Sequence, residues 1–336
     1  MKQSRPSRGG RDRSRKGNRT MKKIRFERAG LDVSNMCLGT MMMGTQIDEK
    51  TSMAELDLFV DMGGTFIDTS NNYAHWMPGA TGDESEVLIG KWLKEKGGRD
   101  KIVLASKVGY DRHGEHQGLK ASQIEYWCDE SLRKLNTDYL DLYYAHVDDF
   151  NTPLEETMEA FDKLVKKGKV KALGVSNYYT WRICEAKHIA KANGFTDFTV
   201  NQPQYSFLYT KAGRDSSTPL NLNVSEERLD YLKANNMPMV TYSCLASGGY
   251  DDEKRLPDKY VKDGRWDLLQ ETAKELGLAP SSLVLAWLMN SDKLPERPTI
   301  VPLVASSRLE HLKKNLEMSE YELDVELMKK LCYTKF

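Results

Sequence analysis

Four apolar runs in this chain each deliver an ionisable side chain at their ends. Phe66-Ile67 runs into Asp68, with Tyr73 following; residues 102–106 run into Lys107; residues 140–145 run into His146. The fourth run, 299–304, opens into Ala305-Ser306-Ser307-Arg308. An aspartate, a tyrosine, a lysine and a histidine gathered in one place make a proton-transfer site. Hydride transfer to a carbonyl would use all four, because a proton must reach the oxygen as negative charge develops there. Tyrosine is a weak acid, with a reference pKa of about 10. A neighbouring lysine cation stabilises its phenolate, and an aspartate holds that lysine. A histidine orients the carbonyl by a hydrogen bond or relays a proton. Any one of these residues alone reads as an ordinary interior polar group. Three strand ends with the right types, and the tyrosine beside them, read as a site.

Such residues become neighbours if the runs are parallel strands of a closed barrel, whose C-terminal ends share one mouth. The remaining sequence supplies that frame. A short hairpin is expected over residues 24–33. Strand-like runs then alternate with amphipathic helical stretches: 36–40 with 50–62, 65–70 with 84–96, 102–107 with 122–135, 140–146 with 154–167, and 170–176 with 180–193. Three further strands are expected at 198–204, 238–243 and 299–304. Alternation of this kind argues for parallel pairing through crossover helices. Lys166-Lys167-Gly168 and Ala192-Asn193-Gly194 are helix stop signals. Helices at 267–276 and 280–289 precede the last strand, one of them surplus to the barrel count, and a tail helix is expected near 324–331. The expected fold is α/β: a (β/α)8 TIM barrel with an N-terminal β-hairpin and extra C-terminal helices.

The chain has 336 residues and is 40% apolar, a size ordinary for such a barrel with loop insertions. No apolar stretch approaches the ~18 residues of a membrane span, so no membrane partner is expected. Net charge is zero, but residues 1–20 hold eight Lys or Arg and one acidic residue, which leaves the remainder at −7. A mildly acidic body argues against nucleic acid as a partner. Residues 1–20 read as a disordered basic tail without the apolar centre of a secretory signal, and residues 21–336 as one barrel domain. The five cysteines, Cys37, Cys128, Cys184, Cys244 and Cys332, form no Cys-x-x-Cys. Neither a metal site nor a disulfide framework follows, and a cytoplasmic setting with free thiols is expected.

Residues 66–73 (Phe-Ile-Asp-Thr-Ser-Asn-Asn-Tyr), Ala105-Ser106-Lys107 and Tyr144-Ala145-His146 resemble the catalytic segments of the aldo-keto reductases. Gly174-Val175-Ser176-Asn177, Asn201-Gln202-Pro203, Val240-Thr241-Tyr242-Ser243 and the stretch 302–315 resemble that family's cofactor segments, in the same order along the chain. The resemblance implies a nicotinamide cofactor bound by a barrel, in agreement with the lack of any Gly-x-Gly-x-x-Gly. By similarity, Ser176, Asn177 and Gln202 bond the nicotinamide carboxamide, and Tyr242 stacks on its ring. The turn from Ser243 to Ser247 cradles the pyrophosphate. Ser306, Ser307 and Arg308 open the last barrel helix, where an anion is favoured, and Asn315 lies near the adenine. NADP(H) is expected to be preferred and NAD(H) remains possible.

The chain departs from the family at four places. Ala305 stands where a glycine is usual, Ser307 where a cation is usual, and Cys244 where a proline is common. His311 replaces a frequent Gln or Arg and reads equally as a cofactor contact or a solvated histidine. Tyr250 and Lys254 imitate the Tyr-x-x-x-Lys of short-chain dehydrogenases but sit in a charged loop, and read as coincidence. Asp148-Asp149 reads as a helix cap or solvated charges more than as a substrate contact. Met43, Trp76 and Phe207 are the expected substrate-pocket walls. The expected function is NAD(P)H-dependent reduction of an aldehyde or ketone, with Tyr73 as proton donor and a small-molecule carbonyl or sugar as substrate. A sugar or alcohol dehydrogenase working oxidatively, and a cofactor-binding regulatory module with little turnover, are the alternatives.

Overall fold

The computed structural model describes residues 21–110, 118–211 and 224–335; the expected tail at 1–20 lies outside the described residues. Two strands, β1 (Lys23–Phe26) and β2 (Leu31–Ser34), pair antiparallel as a hairpin. Eight parallel strands then close a barrel: β3 (Cys37–Gly39), β4 (Phe66–Asp68), β5 (Val103–Val108), β6 (Leu140–Ala145), β7 (Val170–Ser176), β8 (Phe198–Gln202), β9 (Met239–Thr241) and β10 (Ile300–Val304). β10 pairs β3 and completes the ring. The strands are buried along almost their whole length because the lumen covers one face and helices cover the other.

Phe26, Leu31 and Val33 of the hairpin pack with Phe66, Leu142, Val200, Val240 and Val301 of the lumen. The Phe26 and Phe66 rings meet edge-on at 6.1 Å. The hairpin therefore plugs the end where the strands begin and leaves the opposite mouth open, where the strands end. Register then decides who meets there. Asp68 pairs with Ala105 and Lys107 with Tyr144. Lys107 thus lies two residues beyond the partner of Asp68, on the same lumenal face.

The helices α1 (Glu49–Asp61), α2 (Glu84–Lys96), α3 (Ala121–Leu135), α4 (Leu154–Lys166) and α5 (Thr180–Asn193) follow the strands as expected. α6 (Glu226–Ala234) was not anticipated; it starts at Ser225, whose hydroxyl accepts from the Arg228 amide. α7 (Gly264–Leu276) and α8 (Pro280–Met289) both precede β10, α9 (Leu309–Leu316) follows it, and α10 (Val325–Tyr333) closes the chain. Four strands are at least two residues shorter than expected: 36–40 contracts to Cys37–Gly39, 65–70 to Phe66–Asp68, 198–204 to Phe198–Gln202 and 238–243 to Met239–Thr241. Their outer residues leave the ladder to build the mouth, and Ser243 turns into the left-handed region at φ 54°.

Candidate active site

Asp68 ends β4, and the chain turns back on itself so that Tyr73 hangs over the same mouth. The turn needs Ala74 at φ 59°, a conformation costly for a residue with a side chain and typical of functional sites. The phenol oxygen of Tyr73 donates to Asp68 Oδ1 at 3.0 Å and accepts from Lys107 Nζ at 2.5 Å. Lys107 is fully buried, ion-paired with Asp68, and donates to the Thr69 carbonyl at 2.8 Å. His146 lies just past β6; its Nδ1 meets Ser70 Oγ at 3.2 Å, and its ring stands 6.1 Å from that of Tyr73. The four residues singled out from sequence converge as expected.

Burial drives the electrostatics. It lowers the Lys107 pKa, and the Asp68 carboxylate works against that. Burial, then Asp68, pushes Tyr73 well above its ordinary value, so the phenol stays protonated. Burial, aided by the Lys107 ammonium, holds His146 well below its ordinary value, so the imidazole is neutral. A neutral acid with an adjacent cation is what carbonyl protonation requires.

The polar patch beside them is continuous with the tetrad. Asn177, at φ 55°, donates from Nδ2 to the His146 carbonyl at 2.9 Å and to Ser176 Oγ at 3.0 Å. Its Oδ1 accepts from Tyr242 Oη at 2.7 Å, and Ser176 Oγ donates to the Gln202 carbonyl at 2.7 Å. Gln202 Nε2 donates to Asp68 Oδ2 at 2.8 Å, a link not foreseen. Amides, a hydroxyl and a phenol ring in one patch suit a ring bearing a carboxamide. Further along the mouth, Ser243, Ala246, Ser247 and Gly248 have φ of 54°, 47°, 58° and 83°. Such turns aim backbone amides into a concavity that favours anions. Ser306 Oγ accepts from the Arg308 amide at 3.1 Å, and Arg308 stands at the N-terminal boundary of α9 with no side-chain bond to the helix. Arg308 and His311 are exposed and Asn315 is half-buried, at a spacing that shares one helix face. The donor set therefore fits a phosphate-bearing nicotinamide cofactor. Cys244 is buried, its thiol directed at the Leu303 carbonyl, which ties this turn to β10.

The expected pocket walls divide. Trp76 is 51% exposed at the mouth. Met43 and Phe207 are core residues instead: Met43 is buried in the main cluster, and the Phe207 ring packs edge-on against Trp287 at 5.1 Å. Sequence reading missed His75 and Tyr110. The His75 ring lies 5.3 Å from Trp76 and 6.5 Å from Tyr110, whose ring in turn lies 5.4 Å from His146. Tyr110 follows Lys107 closely, and that nearness was the available signal. Asp149 is neither a solvated charge nor a cap of α4; it accepts from the Leu119 and Asn151 amides and from Thr152 Oγ1. Asp148 pairs with Arg182, and burial lifts its carboxyl to about 6. Tyr250 is a packing residue, bonded to Ser206 Oγ at 2.6 Å.

A closed parallel barrel with ionisable side chains at the C-terminal ends of its strands defines the class of (β/α)8 enzymes. Within that class the chain belongs to the aldo/keto reductase family, whose sequence model matches residues 35–332. It is 31% identical over 316 residues to a norsolorinic acid reductase of Aspergillus flavus, covering 86% of this chain and 74% of the relative. An NADP(+)-dependent aryl-alcohol dehydrogenase of Phanerodontia chrysosporium is 29% identical over 340 residues, covering 89% and 82%. An aldo-keto reductase of Klebsiella pneumoniae, solved with NADPH, superposes with a TM-score of 0.70 at 27% identity and covers 93% of this chain and 94% of that one. The protein is an NAD(P)H-dependent oxidoreductase of carbonyl compounds. Among the described residues, no helix is long and apolar enough to cross a membrane, and no three His, Cys, Asp or Glu side chains gather as metal ligands.

Proposed function

We propose that this enzyme reduces aromatic aldehydes or aryl ketones with NADPH, and that Tyr73 supplies the proton. The observation carrying this reading is the Tyr73 hydroxyl bridging Lys107 Nζ and Asp68 Oδ1 at 2.5 and 3.0 Å. The bound nicotinamide would supply hydride. Ser176, Asn177 and Gln202 would hold its carboxamide, and Tyr242 would cover its ring. Tyr73 turns its hydrogen from Asp68 to the substrate oxygen, and Lys107 stabilises the phenolate left behind. Neutral His146 donates its Nδ1–H to Ser70, whose own hydrogen goes to Asn72 Oδ1 at 2.8 Å, so its ring walls the mouth beside Tyr73 and leaves the proton donation to the phenol. An intact donor, cation and counter-ion favour turnover over a pure binding module.

NADPH preference is supported by Arg308, which makes no ion pair among the described residues and stands at the helix N-terminus where phosphate is favoured. The NADPH-bound neighbour and the NADP(+)-dependent relative point the same way. Aromatic substrates are supported by the ring series Trp76, His75, Tyr110 and His146 along the mouth. The aryl-alcohol dehydrogenase relative also favours the oxidative direction for the same substrate class. The five cysteines are free, which fits the reducing cytoplasm. Steady-state turnover of benzaldehydes, aryl ketones and aldose sugars, each with NADPH and NADH, tests the proposal. The expected result is a higher kcat/KM for aryl carbonyls with NADPH. Preference for the sugars, or no oxidation of either cofactor across the panel, would overturn it.

A further inference from the structure

The first turn of α2 reaches through the barrel wall to the strand ends that carry the tetrad. Ser85 and Glu86 are both buried there. Ser85 Oγ lies 2.7 Å from Thr40 Oγ1 and 2.8 Å from Thr69 Oγ1. Thr40 Oγ1 donates to the Asp68 carbonyl at 2.9 Å. The direction of the chain follows: Thr40 has spent its hydrogen on Asp68, so it accepts from Ser85, and Ser85 accepts from Thr69. One buried serine thus ties the end of β3 to the end of β4. Thr69 is also the residue whose carbonyl receives Lys107 Nζ, at 2.8 Å.

Glu86 makes the second tie. Its Oε1 accepts from Ser106 Oγ at 2.6 Å, and Ser106 immediately precedes Lys107 in β5. Side chains alternate along a strand, so Ser106 points to the helix layer while Lys107 points into the lumen. A buried carboxylate is costly unless it is paired. Lys134 of α3 lies 3.8 Å from Glu86 and 2.5 Å from Asp83, which holds the pair of helices over this spot.

We propose that Ser85 and Glu86 are positioning residues for Lys107: two buried hydrogen-bond ties from one helix turn set the relative placement of the β4 and β5 ends, and so the Lys107–Tyr73–Asp68 geometry. The inference rests on the assignment of Tyr73 and Lys107 as the proton-delivering pair. Both ties act behind the wall and make no bond to Ser176, Asn177, Gln202 or Tyr242, so they bear first on the chemical step.

The test compares Ser85→Ala with Ser85→Thr, and Glu86→Leu with Glu86→Gln, in the full-length enzyme with NADPH and an aryl aldehyde. Ser85→Ala and Glu86→Leu are expected to lower kcat by roughly tenfold to a hundredfold, as misplacement of reacting groups does. KM and the NADPH dissociation constant are expected to stay within about twofold. The variants that keep a hydroxyl or an acceptor, Ser85→Thr and Glu86→Gln, should recover most of the loss. Melting curves establish which variants are folded at the assay temperature. Wild-type kcat in folded Ser85→Ala and Glu86→Leu overturns the proposal. So does a loss of turnover that only tracks loss of folded protein. Tyr73→Phe is assayed alongside: if it keeps turnover, the tetrad assignment itself falls. If it is inactive while the α2 variants match wild type, only the positioning role falls.

Discussion

Lys107 must remain a cation in a place that disfavours one. Its burial lowers its pKa, and the Asp68 carboxylate in contact with it opposes that shift. The same carboxylate takes the Tyr73 hydrogen at 3.0 Å and the Gln202 amide at 2.8 Å, so a single side chain organises acid, cation and the neighbouring polar patch. Tyr73→Phe removes the hydroxyl proposed to protonate the carbonyl. It should lower kcat by at least about a hundredfold, the lower end of what general acid catalysis contributes. The NADPH dissociation constant, measured by cofactor fluorescence, should change by less than a factor of about two. Retention of more than about a tenth of kcat would exclude Tyr73 as the donor. Cofactor choice is also a residue-scale matter. Ser307 offers a neutral hydroxyl where a second cation is usual, and the grip on a 2′-phosphate is proposed to fall to Arg308. A charge-assisted hydrogen bond contributes about 1.5–3 kcal/mol, or roughly tenfold to a hundredfold in affinity. Arg308→Ala should weaken NADPH by that factor and barely change NADH. Equal losses for both cofactors in titration would place the phosphate elsewhere.

Elements carry these residues to their places, and close helix packing sets how accurately. At Gly90 of α2, a Cβ would sit 2.0 Å from the Lys134 carbonyl oxygen of α3. Gly90→Ala should therefore destabilise the protein by about 1–3 kcal/mol in urea unfolding, although alanine is the better helix former by about 1 kcal/mol. An unchanged or raised midpoint would mean that α2 and α3 separate easily. The strands were legible because each is a short apolar run buried on both faces, and Asp68, Lys107 and His146 were legible as breaks in those runs. Strand ends were less so: Thr40 and Ser243 belong to turns whose shape depends on neighbours far away in sequence. α6 was missed although Ser225 and the paired Glu226-Glu227 are a helix start signal. Met43 and Phe207 were placed at the mouth because they follow strand ends. Their burial is decided by packing against helices, as the Phe207–Trp287 contact shows. His75 and Tyr110 escaped notice because what sets them apart is distance to other rings, which sequence spacing does not carry.

At the scale of the whole molecule, charge and pH are the remaining levers. Removal of residues 1–20, read from the sequence as a basic tail, should leave melting temperature and kcat/KM unchanged. A large loss in either would show that the basic segment docks on the acidic body. Two of the contributions to the pH dependence of stability oppose each other. His146 is held neutral, so the folded state binds fewer protons than the unfolded chain below about 6.5. Its contribution is lost as pH falls through that range. Glu55 of α1 works the other way. It is buried, its Oε1 has no hydrogen-bond partner, and burial raises its carboxyl from 4.5 to about 7. Between those values the folded protein binds more protons than the unfolded chain. Stability therefore falls as pH rises through the window and stays lowered above it. Glu55→Gln puts a neutral amide of similar shape in the same place. The cost of burying a polar group is then common to glutamine and protonated glutamate, and only the ionisation penalty is removed. One pKa unit corresponds to about 1.4 kcal/mol, so a shift from 4.5 to about 7 implies a gain of about 3 kcal/mol at pH 8 and less than about 1 kcal/mol at pH 5. Urea unfolding at the two pH values measures the difference directly. A gain of the same size at both would show that packing, not ionisation, governs this position.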